Sequence, residues 1–396
     1  MQDFWNNKPV NVITTSLVKK NKQILPIEEA FININKEIEN TKIQLDYVVY
    51  NGKNTTVEIP YENISNFINK YYIVNEYRSS IYTIDLIKFY SKDCLIIEFY
   101  PPNKKTAVGY VFGRRHKISI FENITHTLEV NFLCIIPALR CMNLATYMIN
   151  VISRECVINY NIPTAHYTVN KEIRSPFFSE KTVYHRFINI LKLYDIKYIN
   201  TDYNISLYMN KLTRFLYTKN FNNLHSMQYI NNSIDYFSKE KIEMNSDLIK
   251  ELYDKLVNYS KKTYDIFECI TFENYIDTYS CKDFHHFIIR NNDNKIMNYF
   301  LILNIETVDK TYKRNYTNGY FYNMFFNSAE DIMNSIELVN EFIYSYKLFD
   351  MTTIIDTFDI DYRLLNMYET QSTLKYYYFN MMITPISNHK NSLFTI

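Results

Sequence analysis

A chain of 396 residues is long for one compact unit, so two domains or one large duplicated one are expected, and 47% hydrophobic residues rule out a disordered chain. Forty-three basic against forty-two acidic residues leave a net charge of +1, which supplies no field to hold nucleic acid or an anionic membrane. Only four glycines are present, Gly52, Gly109, Gly113 and Gly319, which excludes the GxGxxG fingerprint and the Walker loop, since each needs several within a few residues.

The N-terminus "MQDFWNNKPV" lacks the apolar centre of a signal peptide. The longest apolar runs, such as "FLILNI" at Phe300 to Ile305, are too short to span a bilayer. A soluble protein without stable membrane insertion is expected. Cys94, Cys134, Cys141, Cys156, Cys269 and Cys281 lie far apart with no CxxC pair, which fits a reducing cytoplasm. No metal is expected, because the thiols and the eight histidines never fall at ligand spacing; His285 and His286 are adjacent and point apart on a strand. The thirty-eight tyrosines, with abundant Ile, Asn and Lys, read as the drift of an AT-rich genome, viral or parasitic, rather than as stacking surfaces for bases.

In chain order, "DCLIIEFY" (Asp93 to Tyr100), "TAVGYVFG" (Thr106 to Gly113), "HKISIF" and "TLEVNFLCI" read as strands, with "PPNKK" as a hairpin turn between the first two. "GRRHK" (Gly113 to Lys117) reads as a solvated edge, with the other reading that its charge serves a nearby anion. Leu128, Val130, Phe132 and Cys134 alternate with Glu129 and Asn131, as on a strand with one buried face. The period then changes. Leu144, Tyr147, Met148, Val151 and Ile152 follow the spacing of an amphipathic helix. Asn200 to Glu243 is the candidate linker. "HFIIRNNDNKIMNYFLILNI" (His286 to Ile305) and "GYFYNMFF" return to strands, and "EDIMNSIELVNEFIYSYKLF" to a helix. Strands followed by a helix therefore occur twice, a possible duplication in halves.

The turn from Arg140 through Cys141, Met142 and Asn143 to Leu144 and Ala145 has no glycine. It would aim the N–H groups of a helix's first turn beyond a strand end, where a phosphate is well placed. Asn143 sits where a positive φ would be needed, and Asn tolerates one better than other non-glycine residues. Arg140 could add a charge-assisted contact. The pattern equally fits an ordinary strand-to-helix connection with a solvent-facing arginine.

Arg140-x-x-Asn143-x-Ala145 resembles the pyrophosphate loop of the GNAT acyltransferases, with Asn in place of the first glycine. Glu129-Val130-Asn131-Phe132-Leu133-Cys134 matches the E-[IV]-N-F-L-C signature of the glycylpeptide N-tetradecanoyltransferase (N-myristoyltransferase) family. "DFWNNKPV" (Asp3 to Val10), "AHYTVN" (Ala165 to Asn170), "YHRFIN" (Tyr184 to Asn189), "FYN" (Phe321 to Asn323) and "LKYYYFN" (Leu374 to Asn380) resemble further stretches of that family, in its order. The likeness spans nearly all of the chain, with the region between Asn200 and Asp283 poorly matched.

The resemblance implies a mixed α/β (α+β) fold of two GNAT-like halves, related by a pseudo-twofold around a central saddle-shaped sheet. Residues 1–200 would bind myristoyl-CoA, and residues 201–396 would form the peptide groove and end in the catalytic C-terminus. Asp3, Phe4, Trp5, Phe132, Leu133, Cys134, Ile135, Arg140, Cys141, Asn143, Leu144 and Ala145 would hold the co-substrate. Cys141, Met142 and Asn143 replace a serine and two bases of the family's loop, so the pyrophosphate would rest mainly on backbone donors.

The implied reaction is transfer of myristate to an N-terminal glycine amine. The backbone N–H groups of Phe132 and Leu133 would form the oxyanion hole, which requires a break in strand pairing such as a bulge. The carboxylate of Ile396 would be the base, with Asn131 and Thr168 orienting the amine. A free α-carboxyl near ~3.5 and an α-amine near ~8 leave proton transfer uphill by roughly 6 kcal/mol, a gap that burial narrows from both sides. Without the resemblance, apolar packing alone explains the tail "SLFTI". Tyr72, Glu76, Tyr167, Asn170, His185, Tyr322 and Asn323 are the peptide-groove candidates. The expected partners are N-terminal-Gly peptides, with no nucleic acid, and the chain is expected to act as a monomer. The other readings are a related acyltransferase with shifted acyl or acceptor specificity, lysine amines included, and a catalytically silent acyl-CoA-binding homologue.

Overall fold

The computed structural model describes residues 21–41, 44–52, 58–72, 77–140, 142–170, 173, 175–199, 233–237 and 246–394. The chain starts with β1 (Asn21–Gln23), α1 (Ile27–Glu39), β2 (Asp46–Asn51), α2 (Tyr61–Tyr71), β3 (Arg78–Ile81) and α3 (Ile84–Ser91). The strands read from sequence follow: β4 (Cys94–Tyr100), β5 (Gly109–Ile120) and β6 (Asn123–Ile135). Then come α4 (Leu144–Tyr160), β7 (Ala165–Val169), β8 (Ser179–Phe187) and α5 (Ile190–Asp195). The second pass holds β9 (Ser233–Phe237), α6 (Ser246–Thr263), β10 (Ile266–Glu268), α7 (Phe272–Ser280), β11 (Phe284–Arg290), β12 (Ile296–Asp309) and β13 (Arg314–Phe325). It closes with α8 (Asp331–Tyr346), β14 (Met351–Ile355), β15 (Tyr368–Phe379) and β16 (Met381–Ile383).

The sequence periods explain the main elements. Leu144, Tyr147, Met148, Val151 and Ile152 are all buried, on the face that α4 turns to the sheet beside α1. The run in β4 is apolar almost throughout because both faces of that strand are covered; Glu98, its one charged residue, accepts hydrogen bonds from the hydroxyls of Tyr50 and Tyr110. Two expectations change. "TAVGYVFG" and "HKISIF" are not separate strands but one, from Gly109 to Ile120, because Arg114 and His116 find buried partners and have no need of a loop. Within the candidate linker, Ser233–Phe237 is an edge strand against β11; the rest of it lies outside the described residues.

The strand order of the main sheet is β2-β4-β5-β6-β7-β15-β8-β14-β13-β12-β11-β9. It reads alike from both ends. In each half an antiparallel ladder ends in a helix, α4 or α8, that returns to a parallel neighbour, β6 to β7 or β13 to β14. The last strand of each pass then crosses into the other half: β8 pairs β14, and β15 pairs β7. β3, from the first pass, also pairs β12 of the second. One apolar core therefore joins α2 and α3 to β11, β12, α6 and α7, while separate cores fill under α4 and under α8.

Gly319 on β13 leaves room for Phe349. A Cβ there would lie 2.6 Å from Phe349 Cδ2 and 2.9 Å from Ile302 Cγ2. Gly319→Ala should lower stability by about 1–3 kcal/mol through overpacking, read as a lower urea midpoint at unchanged slope.

Candidate active site

β6 breaks its pairing where the sequence signature lies. Asn131 faces Phe112 and Cys134 faces Tyr110, so Phe132 and Leu133 together oppose Val111 alone. This is a β-bulge, which leaves an extra residue out of the ladder. Phe132 carries it at φ 49°, in the left-handed region, although it is not glycine. That backbone costs about 1–2 kcal/mol. The ring offsets the cost: it is buried edge-on among Tyr82 (5.0 Å between centroids), Phe112 (5.1 Å), Tyr72 (5.6 Å) and Tyr90 (5.6 Å). Packing and the break in the ladder are thus joined in one residue.

Beyond β6, a 3₁₀ turn at Pro137–Leu139 leads to Asn143 at φ 58°, ψ 15°, the positive φ expected from sequence. α4 starts there with no side-chain cap and no charged residue in its first turn, so first-turn N–H donors remain for an anion. Leu144 is buried and anchors the turn, and Met142 is exposed. Arg140 is engaged by backbone: its Nε donates to Ile135 O at 3.0 Å and its Nη2 to Tyr71 O at 2.6 Å. It binds the end of β6 to the end of α2, and its remaining N–H groups face solvent. The equivalent start of α8 carries Glu330 and Asp331, which set that helix end against a phosphate.

The chain's final described stretch is held inside. Ser392 N donates to Ile266 O at 2.9 Å, Tyr376 OH to Leu393 O at 2.9 Å, and Lys181 Nζ to Asn391 O. Leu393 is buried, and the Phe394 ring lies 4.8 Å from that of Tyr322. A cavity beside this tail is lined by His116, Ser260, Glu268, Tyr322, Asn323 and Phe394. Ile396 lies outside the described residues, as do Asp3, Phe4, Trp5, Glu76 and Cys141.

Next to the cavity is a cluster that sequence reasoning missed. "GRRHK" is not a solvated edge: Arg114 and His116 are buried, while Arg115 pairs Asp93 at 3.0 Å. Arg114 lies 3.7 Å from Glu268 Oε1 and 4.0 Å from Glu129 Oε2. His116 Nε2 lies 3.1 Å from Glu129 Oε2 and 3.3 Å from Glu268 Oε1, and His166 stacks on His116 at 5.3 Å. Strand alternation from Phe112 through Arg114 and His116 to Ile118 was the available signal, since it puts the charges on the buried face. The partners, on three other strands (β6, β7 and β10), were not legible. Burial pushes both histidines well below their ordinary range, with Arg114 adding to the effect on His116 and His116 to that on His166. Burial also raises Glu129 to about 7, against the pull of Arg114.

His116, Glu129 and His166 present ligand atoms within 4.8 Å of one another. The guanidinium of Arg114 already stands beside this carboxylate and sets the group against a second positive charge. The group fits a proton better than a metal. A buried carboxyl raised from 4.5 to about 7 holds its proton more tightly folded than unfolded, so its contribution to stability falls as pH rises across that window. Relative to wild type, Glu129→Gln should therefore gain stability as pH rises through this window, by on the order of 3 kcal/mol, in urea titrations at a series of pH values.

The remaining candidates are distributed around this centre. Asn131 hydrogen-bonds Glu129, and Thr168 lies on β7 opposite Tyr376, on the sheet face that carries His166. Cys134 is buried with its thiol pushed up to about 12 by desolvation, against the pull of Arg140, while Ile135 and Ala145 are half-buried. Tyr72 touches the Phe132 ring, Tyr167 stacks on Tyr377 at 5.7 Å, and Asn170 is exposed. His185 stands apart: its Nδ1 meets Thr353 Oγ1 at 2.8 Å, and burial and Arg78 lower its pKa to about 4. His285 and His286 point to opposite faces as expected, each 2.8 Å from a tyrosine hydroxyl, Tyr236 and Tyr299 respectively.

Two strand-exchanged halves, a bulged strand that feeds an uncapped helix start, and a final described stretch held inside define a mixed α/β architecture with one helix start suited to an anion. Residues 26–179 match the family model described as Myristoyl-CoA:protein N-myristoyltransferase, N-terminal domain. Over those residues the chain is similar to the N-myristoyltransferase family. It is 31% identical over 103 residues to a glycylpeptide N-tetradecanoyltransferase of Mycosarcoma maydis, a match covering 26% of this chain and 14% of that protein. It is 27% identical over 245 residues to one of Plasmodium falciparum, covering 57% of this chain and 56% of that protein. The matches thus span under two thirds of these relatives' length. In fold it is similar to the N-myristoyltransferase of Saccharomyces cerevisiae with bound myristoyl-CoA, with TM-score 0.73 at 15% identity, covering 97% of this chain and 94% of that one. A second yeast structure, with myristoyl-CoA and inhibitors, gives TM-score 0.75 at 14% identity over 100% and 96%.

Proposed function

We propose that this protein transfers a myristoyl group from myristoyl-CoA to the N-terminal glycine amine of proteins. The observation that carries the reading is Phe132 held at positive φ in a bulge of β6, next to a helix start with no acidic side chain. In this reading the N–H groups of Phe132 and Leu133 take the thioester oxygen as it becomes an oxyanion, and Asn143, Leu144 and Ala145 present backbone donors to the pyrophosphate. Asn131 and Thr168 orient the amine, and the carboxylate of Ile396 takes its proton. Tyr322 and Asn323, which line a cavity beside Phe394, would contact the peptide in this reading. The family match of residues 26–179 supports this assignment.

The test is mass spectrometry of an octapeptide starting with Gly, and of the same peptide starting with Ala, incubated with the protein and myristoyl-, palmitoyl- or acetyl-CoA. A mass gain of one myristoyl group on the Gly peptide alone is expected. Equal modification of the Ala peptide, or of an internal lysine, would reject the proposed acceptor.

A further inference from the structure

We propose that the second half holds a binding site of its own, a cleft beyond the pairing of β13 and β14 that takes a free long-chain fatty acid as its carboxylate. The sheet supplies the cleft. In the first half β6 and β7 pair only through Leu128 with Ala165 and Glu129 with His166; the bulge at Phe132 follows, and the start of α4 lies beyond it. The second half repeats this plan. β13 and β14 pair only through Asn318 with Met351, Gly319 with Thr352 and Tyr320 with Thr353. β13 then bulges at Tyr322, since Ile302 faces Phe321 while Leu301 faces Asn323. Past the bulge, a cavity of about 570 Å³ opens between the end of β13, the turn after β14, the last turns of α6 and the start of α8. That volume is within the roughly 300–1,000 Å³ of small-molecule sites. None of the residues assigned to the proposed transfer lines it.

The lining is divided by polarity. Phe325, Phe326, Ile332 and Phe358, all buried, form its inner part, with half-buried Met297 and Ile360 beside them. Lys255, Lys262 and Lys390 also line it, against one carboxylate, Asp359. Lys390 Nζ donates to Thr263 O, the last carbonyl of α6, at 3.0 Å, and Lys255 lies 3.8 Å from Glu251. Lys262 is exposed and has no ion-pair partner among the described residues. Aromatic and aliphatic surface inside, with lysines around it, suits an amphipathic anion: the chain leaves water, and the head stays where the ammonium groups reach it.

Charge also selects the head group. The start of α4 has no acidic side chain in its first turn, but Glu330 and Asp331 stand at the start of α8, flanked by Ala329 and Ile332 of the cleft. A pyrophosphate there would meet like charge at the helix end. A single carboxylate held on the α6 side avoids it. The repeated cleft has thus exchanged a helix-start grip for a lysine grip, which turns away CoA and admits a fatty acid.

The test titrates full-length protein with [1-¹³C]myristate below its micellar range, after a non-hydrolysable myristoyl-CoA thioether has filled the proposed transfer site. One bound equivalent is expected, seen as a carboxylate signal separate from that of the free acid. Ala329→Trp, at an exposed position of the mouth, should abolish that equivalent, and Lys262→Glu should weaken it about 10-fold. Both variants should keep the wild-type melting temperature and acylate a Gly-initiated peptide within a factor of two of wild type. Absence of the bound equivalent in wild type, or unchanged binding in both variants, overturns the proposal. Equal affinity for myristyl alcohol, which carries no charge, also overturns it, as does a second equivalent of thioether that myristate displaces. Displacement of myristate by hexaglutamate would make the cleft a peptide site and overturn it too. The quantity read is the equivalent lost between wild type and Ala329→Trp, so it decides whether or not the thioether binds. Failure of the transferase reading leaves that difference in place, and failure of this proposal leaves acylation in place.

Discussion

Appending three residues after Ile396 is expected to lower kcat at least 100-fold while the dissociation constant for myristoyl-CoA stays within about threefold. The tail is fixed up to Leu393 by Ile266 O, Tyr376 OH and Lys181, and Phe394 packs on Tyr322. Each added residue moves the end carboxylate by up to ~3.5 Å, beyond the tolerance of a proton transfer. The bulge and the start of α4 are on other strands and elements, so co-substrate binding should be spared. Single-turnover acylation and a fluorescent acyl-CoA titration measure the two quantities separately. Amidating the terminus by semisynthesis removes the charge alone. If the extended protein acylates as fast as the native one, the chain end is not the base.

Phe132→Ala should destabilise the protein by about 3–5 kcal/mol and depress turnover further than the stability loss explains. The ring is 1% exposed and meets four other rings, so its removal leaves a cavity that aromatic neighbours close poorly. Alanine still pays for positive φ, because it keeps a Cβ. Phe132→Gly separates these effects: it relieves the backbone while losing the same ring, and is expected to stand within about 1 kcal/mol of Phe132→Ala. Denaturant midpoints and kcat on folded protein decide. A Phe132→Ala protein with wild-type kcat would remove this bulge from the proposed chemistry.

Much of the first half was legible because its signals are local. The change from period two to helical period at Leu144 marked the end of β6 and the face of α4, and Asn143 marked the left-handed turn. The bulge was not legible as geometry, since Phe132 and Leu133 read equally well as core. The cluster around His116 was hidden for a different reason: its members come from β5, β6, β7 and β10, and only folding brings residues as distant in sequence as Arg114 and Glu268 within 3.7 Å. Arg140 was read as an open charge, but its partners are carbonyls of Ile135 and Tyr71, acceptors that no composition or spacing reveals.

The crossing of β8 and β15 has a consequence for how such a chain can be divided. Each pass supplies the middle strand of the other's layer, so a break near residue 200 yields fragments that both lack a central element and expose bare ladder edges. Neither fragment should be inheritable or expressible as an independent module. Together, the same fragments carry every strand and should rebuild the sheet by complementation.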